Sequence, residues 1–270
     1  MHSERQGTTV PTIILCGGKG TRIREAGELT PKPMLTVGGK PILWHIMKTY
    51  AAFGFTDFVL ALGYLGNVIR SYFLDYEALS RDFTVEIGAH GSVSFLQHQP
   101  DEGWRVTCME TGAEALTGTR VRRAAAHIQS GPVMVTYGDG VGDIDVRALL
   151  EFHRGHGGKA TLTTVNPPGR FGELHVRSNG QVESFEEKPQ VSGSTINGGF
   201  MVLEREAIDD YIPADRDVML EREPLNNLAR DGELWAYPHT GFWQSMDTAR
   251  ERDLLERLWK GGGAPWKVWP

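Results

Sequence analysis

The sequence predicts an α/β fold: a mixed, mostly parallel central sheet with helices on both faces. Three observations predict it. Short apolar runs end in glycine turns. Segments with apolar residues three and four apart follow them. The two patterns alternate through the first half of the chain, and uninterrupted apolar strands fit a parallel sheet buried on both faces. The second half is richer in strand-like pieces, which predicts added or mixed strands and fewer helices.

Thr12–Leu15 reads as a buried strand broken at Gly17-Gly18. Pro41 opens a helix carrying Ile42, Leu43, Ile46, Tyr50 and Phe53, and Gly54 closes it. Phe58–Leu62 is a second strand ending at Gly63. Asn67–Tyr76 follows as a helix with Val68, Ile69, Tyr72 and Phe73 on one side. Thr84–Glu110 breaks the rhythm, and the alternation of Trp104, Val106 and Cys108 with Arg105 and Thr107 predicts an antiparallel excursion. Val133–Val135 is a third strand, leading to Tyr137-Gly138-Asp139-Gly140, and Asp145–His156 is the helix after it. Beyond residue 158, Ala160–Val165, Glu173–Val176, Val182–Phe185 and Phe200–Leu203 read as strands. Thr248–Trp259 is a final helix with Leu254, Leu255 and Leu258.

Composition narrows the function. The chain has 270 residues and a net charge of −6, which disfavours nucleic acid as a partner. No apolar stretch approaches the roughly 20 residues that span a membrane. Residues 1–11 lack an apolar centre and read as a flexible terminus, and residues 261–270 as an irregular tail with Trp266 and Trp269. Two cysteines, Cys16 and Cys108, give no disulfide framework and fit the cytoplasm. Cys16 reads as a small buried residue, placed where a thiol reagent could inhibit. The chain holds 33 glycines, well above a typical share of about 7%, which predicts tight turns close to a ligand.

The chemistry begins at Leu15-Cys16-Gly17-Gly18-Lys19-Gly20-Thr21-Arg22. A glycine turn after a first strand can offer backbone N–H groups to phosphate. It is no Walker loop, since Gly20 follows Lys19, and Ile23 stands where the dinucleotide fingerprint needs its third glycine. Pro31-Lys32-Pro33-Met34 then fixes a lysine between two prolines. Between Gly17 and Lys40 there are five basic and two acidic residues, a local excess of +3 in an acidic protein. Asp139 follows an apolar strand at its carboxyl end, where ligands bind in open α/β sheets. Asp247 precedes the last helix, where it can also serve as an N-cap. Arg120, Arg122 and Arg123 read as a solvated helix face.

GGKGTR, PKPM and GGKPILWH together resemble the start of the sugar-1-phosphate nucleotidylyltransferases. Gly63-Tyr64, Tyr137-Gly138-Asp139, Phe171-Gly172, Glu187-Lys188-Pro189, Asn197-Gly198-Gly199-Phe200 and Met246-Asp247-Thr248 follow in the family order. KPILWHIMK, TYGDGV, PPGRFG, INGGF and the APWK ending are similar to the glucose-1-phosphate cytidylyltransferase subgroup. The resemblance implies a Rossmann-like (GT-A-like) nucleotidyltransferase fold with a smaller antiparallel sugar-binding region. It implies a single domain over residues 12–260, with a nucleotide-binding half at 12–158 and a sugar-phosphate half at 159–260. It implies that a sugar 1-phosphate attacks the α-phosphorus of CTP and pyrophosphate leaves, chemistry that needs positioning and charge neutralisation.

By the same resemblance, Leu15, Gly17, Gly18, Gly20, Thr21, Arg22, Thr111 and Gly112 hold the nucleotide, and Arg22 and Lys32 serve the reacting phosphates. Tyr137, Gly172, Glu187, Lys188, Asn197 and Gly199 bind the sugar 1-phosphate, and Asp139 and Asp247 share one Mg²⁺. A homo-oligomer is implied, with the tryptophan-bearing tail as a contact. Three places depart from the subgroup pattern: Glu110-Thr111-Gly112-Ala113 with Thr117-Gly118-Thr119-Arg120, Glu173 for a small residue, and Ser245 for a proline. The departures leave open UTP or dTTP, or another sugar 1-phosphate. A catalytically silent, nucleotide-sugar-binding regulator is the remaining alternative.

Overall fold

The computed structural model describes residues 10–20, 30–88, 91–96, 102–167, 173–178, 180–186 and 195–270, without the side chains of 173–176 and 184–186. Seven strands build the main sheet: β1 (Thr12–Leu15), β2 (Asp57–Leu62), β3 (Arg105–Glu110), β4 (Pro132–Tyr137), β5 (Ala160–Val165), β6 (Ile196–Glu204) and β7 (Leu234–Pro238). Their order is β7-β5-β6-β4-β1-β2-β3. Strands β3, β2, β1 and β4 run parallel, β6 is antiparallel to both its neighbours, and β5 and β7 pair in parallel. The sheet is therefore mixed and mostly parallel, as the sequence predicts.

The strand residues explain its two cores. Ile14, Leu60, Met134 and Val202 point to one face, under α1 (Ile42–Ala52), α2 (Gly66–Leu74), α4 (Val146–His156) and α7 (Ala249–Lys260). Ile13, Leu15, Val59, Ala61, Val133 and Val135 point to the other, under α3 (Thr117–Ala124), α5 (Arg205–Tyr211) and α6 (Glu223–Arg230). Alternate residues of the same strand thus serve opposite layers. The helix boundaries follow their caps. Asp145 accepts from the N–H groups of Arg147 and Ala148 at 3.0 and 2.9 Å, and Gly157 ends α4 with φ +70°.

One expectation is corrected. Arg105–Glu110 is not part of an antiparallel excursion: it pairs in parallel with β2 at the sheet edge, Asp57 opposite Arg105 and Leu62 opposite Glu110. Its alternation arises because an edge strand is only half covered. Among the described residues of this stretch, the antiparallel element is Phe83–Val85 with Val93–Phe95. Beyond residue 158 the described residues hold three helices, α5, α6 and α7, fewer than the first half carries, as the sequence predicts.

The tryptophans of the 261–270 tail turn inward. Trp266 is fully buried, stacked on Phe242 and Trp259 at 5.6 and 6.3 Å between centroids, and Trp269 meets Trp44 edge-on at 5.7 Å. The segment packs onto its own chain. Residues 1–9 of the expected flexible terminus lie outside the described residues. Among the described residues, no helix is long and apolar enough to cross a membrane.

Candidate active site

Strand order reverses at β1, which has β2 on one side and β4 on the other. In open α/β sheets the crevice at such a switch point binds ligands. A cavity of about 400 Å³ lies there, lined by the Gly17–Gly20 loop, Lys32, Thr117, Arg120, Tyr137, Asp139, Met219 and Asp247. Register brings the two strand ends together: Leu15 sits opposite Tyr137, and the Gly138 N–H donates to the Leu15 carbonyl at 3.1 Å.

Asp139 and Asp247 are far apart in sequence and adjacent in space. A short antiparallel ladder joins Gly140–Gly142 to Trp243–Ser245, and the Met246 N–H donates to the Asp139 carbonyl at 2.8 Å. This ladder delivers Asp247 to the end of β4. Asp247 is not the N-cap of α7. That role belongs to Thr248, in a capping box with Glu251, whose carboxylate also accepts the Asp247 N–H at 2.7 Å. The Asp247 carboxylate instead turns to Lys32.

The Lys32 ammonium lies 2.6 Å from a carboxylate oxygen of Asp139 and 2.6 Å from one of Asp247. Burial alone would lower its pKa. The charges and hydrogen bonds of Asp139 and Asp247 outweigh burial, and the net shift is upward. Pro31 and Pro33 hold the single turn Lys32–Met34 that presents it. Two carboxylates focused on one cationic point also suit Mg²⁺, a hard ion that takes oxygen ligands and completes its shell with water and phosphate. The donor set at Asp139 and Asp247 therefore fits the implied metal.

The glycine loop has a second purpose that the sequence does not reveal. Arg120 is not on a solvated face; it is 5% exposed and reaches beneath the loop. Its guanidinium donates to the carbonyls of Gly17 (3.0 Å), Leu62 (3.1 Å) and Ala113 (3.2 Å), and to the Thr111 hydroxyl (2.9 Å). A Cβ at Gly17 would stand 2.1 Å from this group, and one at Gly63 2.2 Å. Both glycines are thus required by Arg120. Gly18 faces open space, and Gly20 takes φ +58° with its Cβ position 3.0 Å from the Lys32 Cβ. Burial lowers the Arg120 pKa. Arg122 and Arg123 are engaged as well: Arg122 donates to the carbonyls ending α5, the shortest bond being 2.7 Å to Ile212, and Arg123 donates to Thr111 at 2.7 Å.

On the nucleotide side, the structure brings Leu15, Gly17, Gly18, Gly20 and Lys32 to the cavity. Thr111 is not brought in: it is fully buried, and its hydroxyl donates to the Leu62 carbonyl at 2.5 Å. Gly112 takes φ +97° behind the Ala113–Thr117 stretch. On the sugar side, Tyr137 lines the cavity, and Asn197 accepts the Gly199 N–H at 2.9 Å. Gly199 has φ +82°, and a Cβ there would lie 2.3 Å from the Tyr137 ring. Thr21, Arg22, Gly172, Glu187 and Lys188 lie outside the described residues, as does the Glu173 side chain. Cys16 is fully buried with its thiol pKa pushed up, chiefly by burial, so inhibition by thiol reagents has no surface target at this residue.

Sequence reasoning missed Arg120 and Glu221. Arg120 sits in the quoted Thr117–Arg120 motif, and its burial was the missing information. Glu221 has no local signature beyond preceding a helix that begins Glu223-Pro224.

Comparison with known proteins agrees with this geometry. A family model described as "Nucleotidyl transferase" matches residues 11–256. The chain is 48% identical over 258 residues to the glucose-1-phosphate cytidylyltransferases of Salmonella typhimurium and Salmonella typhi, covering 95% of this chain and 98% of each relative. Among solved structures, HddC from Yersinia pseudotuberculosis superposes with a TM-score of 0.66 at 22% identity, covering 93% of this chain and 99% of that one, a likeness of fold. The chain belongs to the nucleotidyl transferase family.

Proposed function

We propose that the protein is a Mg²⁺-dependent cytidylyltransferase that condenses CTP with α-D-glucose 1-phosphate, giving CDP-glucose and pyrophosphate. The observation that carries this reading is the Lys32 ammonium held 2.6 Å from both Asp139 and Asp247 at the mouth of the glycine loop. The 48% identity to glucose-1-phosphate cytidylyltransferases over 95% of the chain supports the choice of CTP and glucose.

In this reading the sugar-phosphate oxygen bonds to the α-phosphorus, the α–β phosphoanhydride breaks, and the electron pair leaves with pyrophosphate. Gly18 and Gly20 let the nucleotide phosphates approach the backbone, and Lys32 neutralises charge beside them. Arg22 clamps the triphosphate, and Lys188 holds the sugar phosphate. Tyr137, Asn197 and Gly199, with Gly172 and Glu187, orient the sugar. Thr21, Thr111 and Gly112 complete the nucleotide pocket, Thr111 through the loop it anchors. Asp139 and Asp247 would hold Mg²⁺, which supplies charge neutralisation and alignment of the phosphates. The nucleotide half is residues 12–158 and the sugar-phosphate half 159–260. We place the enzyme in the cytoplasm, in keeping with two free cysteines, and as a homo-oligomer of like chains, in keeping with exposed Leu74, Phe83, Val85 and Val93.

The test is a matrix of CTP, UTP, dTTP and GTP against glucose 1-phosphate and other hexose 1-phosphates, read as pyrophosphate release. The expected result is a kcat/KM maximum at CTP with glucose 1-phosphate. A maximum at UTP or dTTP would overturn the nucleotide assignment, and binding without turnover by any pair would indicate a silent regulator.

A further inference from the structure

Glu221 lies in the turn before α6, behind the cavity wall. One of its carboxylate oxygens accepts the Tyr137 hydroxyl at 2.5 Å, and the other accepts the Thr117 hydroxyl at 2.5 Å. Tyr137 and Thr117 both line the cavity, but from different walls. Thr117 opens α3 on the nucleotide side, whereas Tyr137 ends β4 and rests on Gly199 of the sugar side.

Each donor is fixed by a further contact. The Thr117 hydroxyl accepts the Leu220 N–H at 2.9 Å while donating to Glu221, which sets its rotamer. The Tyr137 ring rests against Gly199, where a Cβ would lie 2.3 Å from it, so the glycine sets the ring's position. The 217–220 segment is also joined along the start of α3: Gly118 N–H donates to Val218 at 3.0 Å, Leu116 N–H to Asp217 at 2.9 Å, and Val218 N–H to the Thr119 hydroxyl at 3.1 Å. These bonds occupy N–H groups that a helix N-terminus leaves open, so the first turn of α3 serves the loop, not an anion.

We infer that Glu221 is a positioning residue: one carboxylate sets the register between the nucleotide wall and the sugar wall of the cavity. It rests on the site reading above. A two-oxygen acceptor is needed for this, because an amide offers one acceptor oxygen and a donor in place of the other. Tyr137→Phe or Thr117→Val releases one wall, Glu221→Gln keeps one acceptor, and Glu221→Ala releases both.

Steady-state kinetics with CTP and glucose 1-phosphate tests the inference, with Tm measured for every variant. Thr117→Val is expected to raise KM for CTP about fivefold and KM for glucose 1-phosphate less than twofold. Tyr137→Phe is expected to do the reverse. Glu221→Ala is expected to raise both about fivefold or more, and adding the other two substitutions is expected to change them by less than twofold further. A lowered Tm with both KM values within twofold of wild type would make Glu221 merely structural and overturn the inference. If Glu221→Ala fails to fold, the Thr117→Val/Tyr137→Phe pair decides: effects coupled by threefold or more support it, and independent effects overturn it. Absence of turnover by the wild type would instead count against the site reading itself.

Discussion

His45 and Lys32 are both potential cations close to the glycine-rich turns, and their surroundings drive them in opposite directions. His45 is fully buried among Trp44, Trp259, Trp266 and Trp269, whose rings lie 4.7–6.1 Å from its own. Its Nε2–H donates to the Val37 carbonyl at 2.8 Å, and its Nδ1 faces the Trp266 N–H donor at 3.3 Å. That pairing fixes one neutral tautomer, because a proton on Nδ1 would confront another donor. Burial lowers its pKa to about 4. Lys32 sits between two carboxylates, which raise its pKa against the same kind of burial penalty. An apolar cage with one donor and one acceptor builds structure. A charged cluster opening onto a cavity builds a site.

The largest test of this contrast removes part of the cage. Trp266→Ala should destabilise the fold by about 3–5 kcal/mol, as truncation of a buried aromatic does. Denaturant unfolding would measure it, and kcat per folded molecule should hardly change. A large loss of kcat at full folding would instead join the tail to the catalytic centre.

The next effect is acid sensitivity. His45 has a folded pKa of about 4 against an unfolded value of 6.5, so the unfolded chain takes up the proton first. Its contribution is fully present above pH 6.5 and is lost as pH falls from 6.5 towards 4, amounting to about 3 kcal/mol. Comparing unfolding free energies at pH 7.5 and 4.5 for wild type and His45→Gln isolates the effect. The variant should show the smaller drop; equal drops would mean that the cage does not hold His45 neutral.

What could be read from the sequence divides along the same line. The strand at Thr12–Leu15, the helix after Pro41 and the turn at Asp139 follow from local apolar runs, proline and glycine. Asp139 and Asp247 were legible as a pair only through resemblance, because the ladder between Gly140–Gly142 and Trp243–Ser245 spans about a hundred residues. Arg105–Glu110 was misread as antiparallel, since its alternation records half-burial and not strand direction. Arg120 was misread because three arginines at helical spacing look alike until the glycines that make room for one of them are seen in space. Glu221 left no trace, as both its partners lie more than eighty residues away.

The central claim is that Asp139, Asp247 and Lys32 form the catalytic centre and not a structural ion-pair cluster. The most direct measurement is the rate of pyrophosphate release from CTP and glucose 1-phosphate by Asp139→Asn and Asp247→Asn, alongside their Tm. On the proposed reading, loss of the charges that would hold Mg²⁺ and face the phosphates should lower kcat/KM by about 100–1,000-fold or more in each. Tm should stay within about 5 °C of wild type, as for a site that is partly solvent-exposed. Near-full activity in either variant, or a collapse of Tm that accounts for the lost rate, would contradict the claim.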